Sequence, residues 1–504
     1  MPLPPPIDAD IVLTGELTRA DHETYRELTF DVPAGIERLT IAVAHTGKEE
    51  KATIDLGLFD PERFRGWSGS DKASFNLSAT DATPSYLPGP IPPGRWTLVL
   101  GVPNIRPGRR AEYVAAIAFG RGEAPAVSRF SDAPLATGAR WWRGDLHMHT
   151  CHSDGTAPTQ SGVRAPGPVY RTVEAAAARG VDFIAVTDHN AVSHHNALRE
   201  LQPAFDRLLL IPGVEITTFH GHAGVLGAVG FVEFRLGSAH LPSVVALQDE
   251  VARRHGLFVV NHPALPSNEL CMGCGWTAEG TDYARLDAVE VVNGGAALAQ
   301  GNTADGPFSG VPFWEARLNE GHAPTAIGGS DNHRPDADPS KAASVGAPTT
   351  CVWAEELSER AVLAAIRAGH VFVDVEGTAD RILELSGVCE GQSAVMGQAL
   401  AAPAGATARF TVRVRNLAGA QVDVILDGAH GAALAGEVLA SDDEILGFDL
   451  AGEAERHWLR VDIRSADGSR TLMIGNPIYL ERSRRVSSAA LASGAGQRNP
   501  TIGA

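Results

Sequence analysis

The stretch "GDLHMHTCHSDGT", residues 144–156, carries three histidines and two aspartates. His147 and His149 are two residues apart, so they lie on one face if this stretch ends a strand, as we expect. Imidazole and carboxylate groups are common ligands of zinc, manganese and iron. A His-x-His alone does not separate a metal site from a polar loop. The distinction depends on whether the rest of the chain supplies partners at matching positions.

Four further apolar runs end in residues of the same types. They end at Asp188 and His189 in "VDFIAVTDHN", at Glu215, His220 and His222 in "LLLIPGVEITTFHGHAGVLG", at His262 in "LFVVNHP", and at Asp331 and His333 in "APTAIGGSDNHRP". Any one of these residues alone is more commonly a hydrogen-bonded loop residue than a ligand. Five strand ends that all offer His, Glu or Asp are hard to obtain by chance. Together they predict a multinuclear metal centre in the middle of the chain.

Strand and helix patterns alternate in this middle region. "YRTVEAAAARG" predicts a helix that stops at Gly180, and "SVVALQDEVARRHG" predicts another with a glycine stop. "SERAVLAAIRAG" predicts a helix with Ser358 as its N-cap and Gly369 as its stop. Alternating βα units predict a parallel sheet or barrel, whose carboxyl-terminal strand ends converge on the face where active sites lie. We therefore expect the metal centre at that face.

Both ends of the chain show the two-residue alternation of antiparallel β structure, as in "RWTLVLGV" and "ARFTVRVRN". The predicted fold class is accordingly α/β, with antiparallel β-sandwich domains on both sides of the metal-binding domain. We predict an N-terminal β-sandwich over 1–138, the metal-binding domain over 139–375, a C-terminal β-sandwich over 376–482 and a disordered tail over 483–504. The segment "SRFSDAPLATGAR" is expected to be a linker.

Composition limits the classes of function. The formal net charge of -18 argues against a nucleic-acid or anionic-membrane binder, which needs a basic face. We find no secretory signal and no apolar run long enough to span a membrane, so a cytoplasmic protein is expected. The five cysteines are few and odd in number, which does not predict a disulfide framework. The expected partner is a small molecule, and a homo-oligomer formed through apolar β faces is left open.

The motifs "GDLHMHTCHSDGT", "VTDHN", "GVEITTFHGHAGVLG" and "GGSDNHRP" resemble the PHP (polymerase and histidinol phosphatase) family across residues 141–335. With the flanking β zones, they look most like its carbaryl-hydrolase branch. The resemblance implies a distorted (β/α)7 PHP barrel that binds two to three divalent metal ions (Zn, Mn or Fe).

Carried over by position, the resemblance also implies a set of ligands. The first metal would be held by His147, His149, Glu215 and Asp331; Glu215 would bridge to a second metal bound by His222 and His262; a third site would use Asp154, His189 and His333. Family members vary at the place of Asp154, which leaves the occupancy of the third site open. His220 competes with His222, which is preferred because it lies nearer the "VLG" strand.

A bridged metal pair lowers the pKa of bound water and supplies hydroxide, while the same cations polarise the bond under attack. A serine nucleophile is then not required, and no "GxSxG" elbow is found. Candidate general acids are His152, His194 and His195, which are expected in loops and are as readily explained as solvated loop histidines. Asp188 is expected to orient a metal ligand as a neighbouring carboxylate.

The bond that is cleaved is harder to predict. Lys341 is the only lysine between Trp141 and Val375, and Arg164 and Arg334 are the candidate anion-binding residues. A phosphoesterase ordinarily has more fixed cations, and the resembled branch hydrolyses an aryl carbamate. We therefore favour an uncharged carboxyl or aryl carbamate ester. The alternatives are a PHP-type phosphoesterase acting on small phosphoesters or nucleic-acid ends, and a non-catalytic metal-binding module.

The loop "ALPSNELCMGCGWTAEGTDY" after His262 is expected to cover the site as a lid. Within it, Trp276 is a candidate apolar wall for the substrate. Cys271 and Cys274 lack a second ligand pair, so ordinary loop cysteines are favoured over a zinc or redox site. Asn293, at another strand end, is expected to touch substrate or to cap a turn.

Overall fold

The computed structural model describes residues 7–69, 72–79, 82–121, 133–267, 271, 273–431, 437–453 and 455–481. The tail predicted to be disordered, 483–504, lies outside the described residues. The chain divides into two compact units, Met1–Ala379 and Asp380–Ala504. The structure is of mixed α/β class and is mostly strands with few helices, while the three domain boundaries stay predictions. Among the described residues, no helix is both long and apolar enough to cross a membrane.

The first unit begins with eight strands in two antiparallel sheets, ordered β1-β8-β3-β6 and β2-β7-β4-β5. Alternate residues of β7, among them Trp96, Leu98 and Leu100, are fully buried in a core that both sheets share. The two-residue alternation of the sequence therefore corresponds to two sheets packed face to face. The strands are β1 (Ile11–Thr18), β2 (Thr24–Val32), β3 (Arg38–His45), β4 (Thr53–Phe59), β5 (Phe64–Ser68), β6 (Ser74–Ser78), β7 (Gly94–Asn104) and β8 (Arg110–Gly120), with a 3-10 turn at Arg19–Asp21.

Eleven strands and six helices follow in the same unit. The strands are β9 (Ala136–Asp145), β10 (Thr156–Pro158), β11 (Arg164–Pro166), β12 (Phe183–Val186), β13 (Leu209–Thr218), β14 (Gly221–Leu226), β15 (Leu257–Val260), β16 (Ala288–Asn293), β17 (Thr325–Gly329), β18 (Thr349–Leu357) and β19 (Val371–Asp374). The helices are α1 (Val169–Arg179), α2 (His194–Leu201), α3 (Val244–Arg253), α4 (Gly294–Ala299), α5 (Val311–Asn319) and α6 (Glu359–Arg367), with 3-10 turns at Gln202–Ala204 and Tyr283–Arg285. Since β9 begins at Ala136, the predicted linker is partly strand.

The sheet of this region runs β17-β16-β15-β14-β13-β12-β9-β18-β19. The pairs β9-β12, β12-β13, β15-β16 and β16-β17 are parallel, as the alternating pattern predicts. The predicted parallel sheet has antiparallel members: β14 is antiparallel to both of its neighbours, and β18 is antiparallel to β9 and β19. Only Phe219 and His220 separate the paired residues Thr218 and Gly221. A connection this short allows antiparallel pairing alone.

The chain beyond β9 meets the chain beyond β17, at the two ends of the parallel set. Met148 forms a parallel bridge with Asn332. His149 donates its backbone N–H to the Asn332 carbonyl at 2.8 Å, and Asp331 donates to the His147 carbonyl at 2.8 Å. The carboxyl-terminal ends of the first and last strands of the parallel set are therefore hydrogen-bonded side by side.

The helix ends follow the capping rules with one difference from the prediction. Gly180 stops α1 with φ 69°, and the Ser358 side chain accepts from the Ala361 backbone N–H at the start of α6, as predicted. At the end of α3, however, the left-handed residue is His255, with φ 58°, and not Gly256. The glycine in "RRHG" is therefore not what stops this helix.

The second unit consists of strands. One antiparallel sheet has the order β21-β20-β23-β27, and the burial of β20 and β23 alternates along each strand as the sequence predicts. In the other group, β28 pairs with β24, β29 and β30. The strands are β20 (Ile382–Cys389), β21 (Gln392–Val395), β22 (Ala399–Ala401), β23 (Thr407–Arg415), β24 (Gln421–Leu426), β25 (Ala429–His430), β26 (Glu437–Val438), β27 (Asp443–Ala451), β28 (His457–Arg464), β29 (Thr471–Gly475) and β30 (Ile478–Glu481).

The cap of α6 gives a test of the fold. Ser358→Ala removes the side-chain acceptor of the Ala361 N–H, which is 3.2 Å away, and should destabilise the first turn of α6 by about 1 kcal/mol. Hydrogen exchange at the Ala361 amide should therefore become faster, while Ser358→Thr keeps the hydroxyl and should exchange as the parent does. Unchanged exchange in Ser358→Ala would show that the hydroxyl does not cap this helix.

Candidate metal centre

Glu215 in β13 is the most enclosed carboxylate among the candidate ligands, with 1% of its surface exposed. Five histidine rings from four segments surround it. The nitrogen to oxygen distances to Oε1 are 3.3 Å from His147 Nε2, 3.1 Å from His262 Nε2 and 3.4 Å from His222 Nδ1, and those to Oε2 are 3.5 Å from His149 Nε2 and 2.9 Å from His189 Nδ1. Both oxygens of one carboxylate therefore face several imidazole nitrogens.

Asp331 approaches the same histidines from the end of β17. Its Oδ1 lies 3.1 Å from His149 Nε2, 3.5 Å from His147 Nε2 and 3.6 Å from His333 Nδ1. His147 and His149 therefore lie between the carboxylates of Glu215 and Asp331.

Asp154 lies at the exposed side of the cluster. Its Oδ1 is 3.3 Å from His333 Nε2, and its Oδ2 is 3.8 Å from His189 Nε2. The ring of His149 stacks between these two histidines, with centroids 4.3 Å from His189 and 4.2 Å from His333. These four residues form one of four groups whose ligand atoms lie within 4.8 Å of one another.

The four groups contain the nine residues that the family resemblance implies as metal ligands. They are His147, His149, Asp154, His189, Glu215, His222, His262, Asp331 and His333. Between the two alternatives at the β13–β14 turn, His222 is buried and faces Glu215, whereas His220 is exposed in the turn. The structure thus brings the nine together and leaves His220 outside.

The charges of the cluster support one another. Burial alone would raise the pKa of Glu215, but the neighbouring imidazoles, His147 first, lower that pKa well below its usual range. The pKa of Asp331 is likewise held well below its usual range, by His147 and His149 against burial. Burial lowers the pKa of His333, but Asp154 and Asp331 raise it to about 9. The carboxylates of Glu215 and Asp331 are therefore ionised near neutral pH.

The buried ligand atoms without a hydrogen-bond partner in the described part of the chain include His147 Nε2, His149 Nε2 and Glu215 Oε2. A buried lone pair without a partner is costly, and a cation satisfies it. Ligand atoms about 2.0–2.1 Å from one tetrahedral zinc ion stand about 3.3 Å apart. The separations of 2.9–3.5 Å around Glu215 are close to that spacing. The donor set and its geometry therefore fit divalent metal ions.

Glu290 is a site residue that the sequence interpretation missed. It is buried in β16, and its Oε1 accepts from His147 Nδ1 at 3.0 Å. Its Oε2 accepts from the His262 backbone N–H at 2.9 Å and from Asn293 Nδ2 at 3.0 Å. Because a carboxylate only accepts, Glu290 holds a proton on His147 Nδ1, so that Nε2, on the side of Glu215, is the nitrogen that would bind a metal ion. A single glutamate within the apolar run "DAVEVV" was the available signal, since a charge in a buried strand needs partners.

Asn261 is the second missed residue. Its Nδ2 donates to Glu215 Oε1 at 2.9 Å, and its Oδ1 accepts from the Gly224 backbone N–H at 3.2 Å. It directly precedes His262 in "VVNHP", so its position at a strand end was visible in the sequence. The amide fixes the carboxylate of Glu215 against β14.

The backbone at the site is tightly constrained. A Cβ on Gly329 would lie 2.5 Å from His147 Cβ and 2.6 Å from Glu290 Oε1, so only glycine fits there. His262 and Asp331 have positive φ angles of 25° and 54°, which side chains of L residues rarely adopt. Such conformations persist where the surroundings enforce them, and they are concentrated at functional sites.

The expected loop position of two of the three candidate general acids is wrong. His194 and His195 are not in a loop but in the first turn of α2, and both are buried. Each ring donates from Nε2 to the Gly213 carbonyl at 3.0 Å. Both rings thus hold α2 against the sheet and have no access to a substrate. The third candidate, His152, is half-buried and shares a 2.7 Å hydrogen bond between its Nδ1 and Ser193 Oγ.

Asp188 contacts the ligand histidines through an intermediate. Its oxygens accept from the Thr150 backbone N–H at 2.7 Å and from Ser153 Oγ at 2.6 Å. Ser153 Oγ in turn lies 3.5 Å from His149 Nδ1. The carboxylate therefore orders the turn that carries His149 and does not touch the ligand ring directly.

The candidate substrate-binding residues have different surroundings. Arg164 NH1 lies 2.7 Å from both carboxylate oxygens of Asp336, so this guanidinium is already paired. Asn293 caps α4 by accepting from the Ala296 N–H, and it also donates to Asp331 and Glu290, so it supports the site and does not face substrate.

Trp276 and Arg334 complete that set. Trp276 is 9% exposed and covers Gly221, 6.0 Å from the ring of Phe258, so it offers little surface to a substrate. Arg334 is exposed next to His333, and within the described part of the chain its guanidinium makes no ion pair. Arg334 is thus the arginine left for an anion.

Cys271 and Cys274, predicted to be ordinary loop cysteines, are paired as a disulfide. The Cys274 carbonyl accepts from His262 Nδ1 at 3.2 Å. The loop therefore supports one of the candidate ligands. Residues 268–270 and 272 of this loop lie outside the described part of the chain. The expectation that the loop covers the site as a lid therefore stays a prediction.

No family model and no curated protein matches the chain. Among solved structures, a two-domain protein from Bacteroides vulgatus, described as containing a predicted PHP-like metal-dependent phosphoesterase, is 18% identical with a TM-score of 0.37, over 69% of this chain and 98% of that one. A beta-glucuronidase from Parabacteroides merdae is 10% identical with a TM-score of 0.18, over 94% of this chain and 64% of that one.

Glu290 gives a test of this site that leaves every candidate ligand in place. Glu290→Gln keeps the volume but removes the charge that fixes the His147 tautomer, so the affinity for Zn²⁺ should fall about 10–100-fold. Competition with a fluorescent chelator measures it. The control is Glu279→Gln, at an exposed position in the loop after Trp276. Equal affinities in the two variants would show that Glu290 does not support a metal site.

Proposed function

We propose that this chain is a metal-dependent hydrolase of the PHP type, built on a distorted (β/α)7 barrel. The observation that carries the proposal is the convergence of nine imidazole and carboxylate side chains on the strand ends around buried Glu215. Metal-dependent hydrolases need such a site, because a cation must be held firmly while part of its coordination stays open to substrate. The low pKa of Glu215 and of Asp331 fits this role, since the carboxylates are ready to bind cations at neutral pH.

The proposed ligands divide into three sets. His147, His149, Glu215 and Asp331 would hold one ion; Glu215, His222 and His262 would hold a second; Asp154, His189 and His333 would hold a third. In support, Glu215 presents one oxygen to His147, His222 and His262 and the other to His149 and His189, as a bridging carboxylate does. The third set is the most exposed, with Asp154 at the surface.

When bound, these ions would lower the pKa of a water molecule and polarise the bond under attack. The chain contributes the fixed geometry. Glu290 holds the proton of His147 on Nδ1, the Cys274 carbonyl does the same for His262 Nδ1, and Asn261 restrains Glu215. Preorganised ligands of this kind do not need to rearrange during the reaction, which is a large part of what a metalloenzyme contributes to rate.

His152 is the proposed proton donor to the leaving group. Its Nδ1 is engaged with Ser193 Oγ, which leaves Nε2 for the exchange of a proton with substrate. It lies on the turn between His149 and Asp154, next to the exposed side of the cluster. With His194 and His195 buried against backbone carbonyls, it is the remaining member of the predicted set.

The proposed substrate is an uncharged carboxyl ester or aryl carbamate, as in the carbaryl-hydrolase branch. The scarcity of free cations supports this choice: Lys341 is the only lysine of the region, and Arg164 is bound to Asp336. A substrate carrying phosphate is ordinarily held by several fixed cations.

A phosphoester is the second candidate, and the position of Arg334 favours it. Its exposed guanidinium adjoins His333 and has no ion-pair partner in the described part of the chain. A single arginine beside metal ions is able to hold one phosphoryl group.

A substrate panel separates the two candidates. We expect protein loaded with Zn²⁺ or Mn²⁺ to hydrolyse 1-naphthyl N-methylcarbamate and 1-naphthyl acetate faster than p-nitrophenyl phosphate and its bis-ester, with activity lost to a chelator and restored by metal. Phosphate turnover without turnover of the neutral esters would replace the first candidate by the second. No turnover of any ester by the metal-loaded protein would leave a non-catalytic metal-binding module.

His149 tests the link between metal and activity. His149→Ala removes a ring shared by the groups around Glu215 and Asp331, so bound metal and activity should be lost together, the activity by about 100-fold or more. Elemental analysis of the purified protein and initial rates measure the two. His240→Ala, at an exposed histidine outside the cluster, should match the parent in both. Full metal content in His149→Ala would contradict the assignment of this ligand.

A further inference from the structure

The outer face of the N-terminal sheet β2-β7-β4-β5 carries a group of exposed aromatic rings. Tyr25 of β2 is 72% exposed, Phe59 of β4 is 41% exposed and Phe64 of β5 is 43% exposed. Trp67 of β5 is half-buried on the same face. Aromatic residues make up 6% of the chain, so four on one face of a four-stranded sheet form a concentrated surface feature. We call these four residues the aromatic platform.

The indole of Trp67 lies flat on the sheet because two glycines leave room for it. A Cβ on Gly57 would lie 2.5 Å from Trp67 Cε3, and a Cβ on Gly101 would lie 2.7 Å from Trp67 Cη2. Gly57 is paired with Trp67 across β4 and β5, and Gly101 lies one strand further, in β7. Glycine inside a strand weakens it and marks a close approach by another group. Here the approaching group is the indole, whose opposite face is turned away from the sheet.

Tyr25 forms a second wall beside this indole. It is paired with Gly101 across β2 and β7, and its ring is 5.9 Å from that of Trp67 at an angle of 70°. Phe59 and Phe64 extend the platform along β4 and β5, with ring centroids 5.2 Å apart. The result is an open, extended surface of ring faces rather than a closed cage, which suits a flat ligand with several units.

The charges beside the platform are mostly negative. Glu27, paired with Val99, and Asp55, paired with Gly101, lie on the same outer face. The cation of this face, Arg95, lies 3.5 Å from Asp31 in an ion pair. Carboxylates repel acidic polymers and a second copy of this chain, whose net charge is -18. They accept hydrogen bonds from hydroxyl groups.

We propose that the aromatic platform binds a neutral saccharide chain, with one pyranose ring stacked on the indole of Trp67 between the Tyr25 ring and the neighbouring carboxylates. The axial C–H groups of a pyranose carry partial positive charge and pack on the electron-rich face of an aromatic ring. The hydroxyl groups at the rim of the sugar donate to Glu27 and Asp55. Phe59 and Phe64 contact the next sugar units. This site is separate from the metal centre and does not depend on the proposed hydrolase activity.

Calorimetric titration of the full chain with neutral hexasaccharides tests this site, using glucan, xylan, mannan and chitin oligomers as probes. We expect at least one to bind, with Trp67→Ala weakening it about tenfold or more and Tyr25→Ala several-fold. Tyr25 needs no core packing, so its variant keeps the test valid if Trp67→Ala fails to fold. Trp353→Ala, at a 39% exposed tryptophan of β18, is the matched control and should bind as the parent does.

Three outcomes would overturn the proposal. The first is that none of the four neutral oligomers binds. The second is that oligogalacturonate or choline binds at Trp67 while the neutral oligomers do not, since this would assign the platform to an anion or a cation. The third is a dimer in analytical ultracentrifugation that Tyr25→Ala dissociates, since the platform would then be an interface between copies of this chain.

Discussion

The metal centre depends on one constraint, that a carboxylate removed from water must meet compensating charge. Glu215 is 1% exposed, and an isolated buried carboxylate is costly enough that it would take up a proton instead. The surrounding imidazoles, His147 and His189 foremost, reverse that tendency and lower the pKa of Glu215 well below its usual range. Four segments of the chain therefore present imidazole nitrogens to Glu215, and the local fold has to bring those segments together.

Two features of the sheet bring these segments together. The hydrogen bonds between the chain after β9 and the chain after β17 bring His147 and His149 beside Asp331. The tight turn after β13 reverses the chain, so that His222 on β14 lies beside the strand that carries Glu215. Because the turn forces β14 to be antiparallel, this departure from parallel order serves the same carboxylate. Asn261, which follows β15, and Glu290, in β16, then fix the orientation of Glu215 and of the His147 ring.

The sequence predicted the candidate metal ligands better than the residues that hold those ligands in place. Strand-end histidines and carboxylates are visible because they interrupt apolar runs, and the family resemblance then implies which nine residues are ligands, Asp154 among them. Glu290 lies within such an apolar run, and its role beside His147 was not predicted, although a single buried charge needs a partner. The roles of His194 and His195 could not be read from the sequence, since their partners are backbone carbonyls of other strands. The pairing of Arg164 with Asp336 joins residues 172 positions apart and leaves no local pattern. The antiparallel course of β14 was not predicted, because the alternating βα pattern says nothing about a strand that is reached through a two-residue turn.

Anomalous X-ray diffraction from crystals grown with Zn²⁺ or Mn²⁺, recorded above and below the absorption edge of the metal, tests whether metal ions bind around Glu215. Two strong peaks that share Glu215 are expected, one within reach of His147, His149 and Asp331 and the other within reach of His222 and His262. A third, weaker peak is expected beside Asp154, His189 and His333. The absence of any peak in contact with Glu215, in crystals where metal binds elsewhere on the chain, would contradict it.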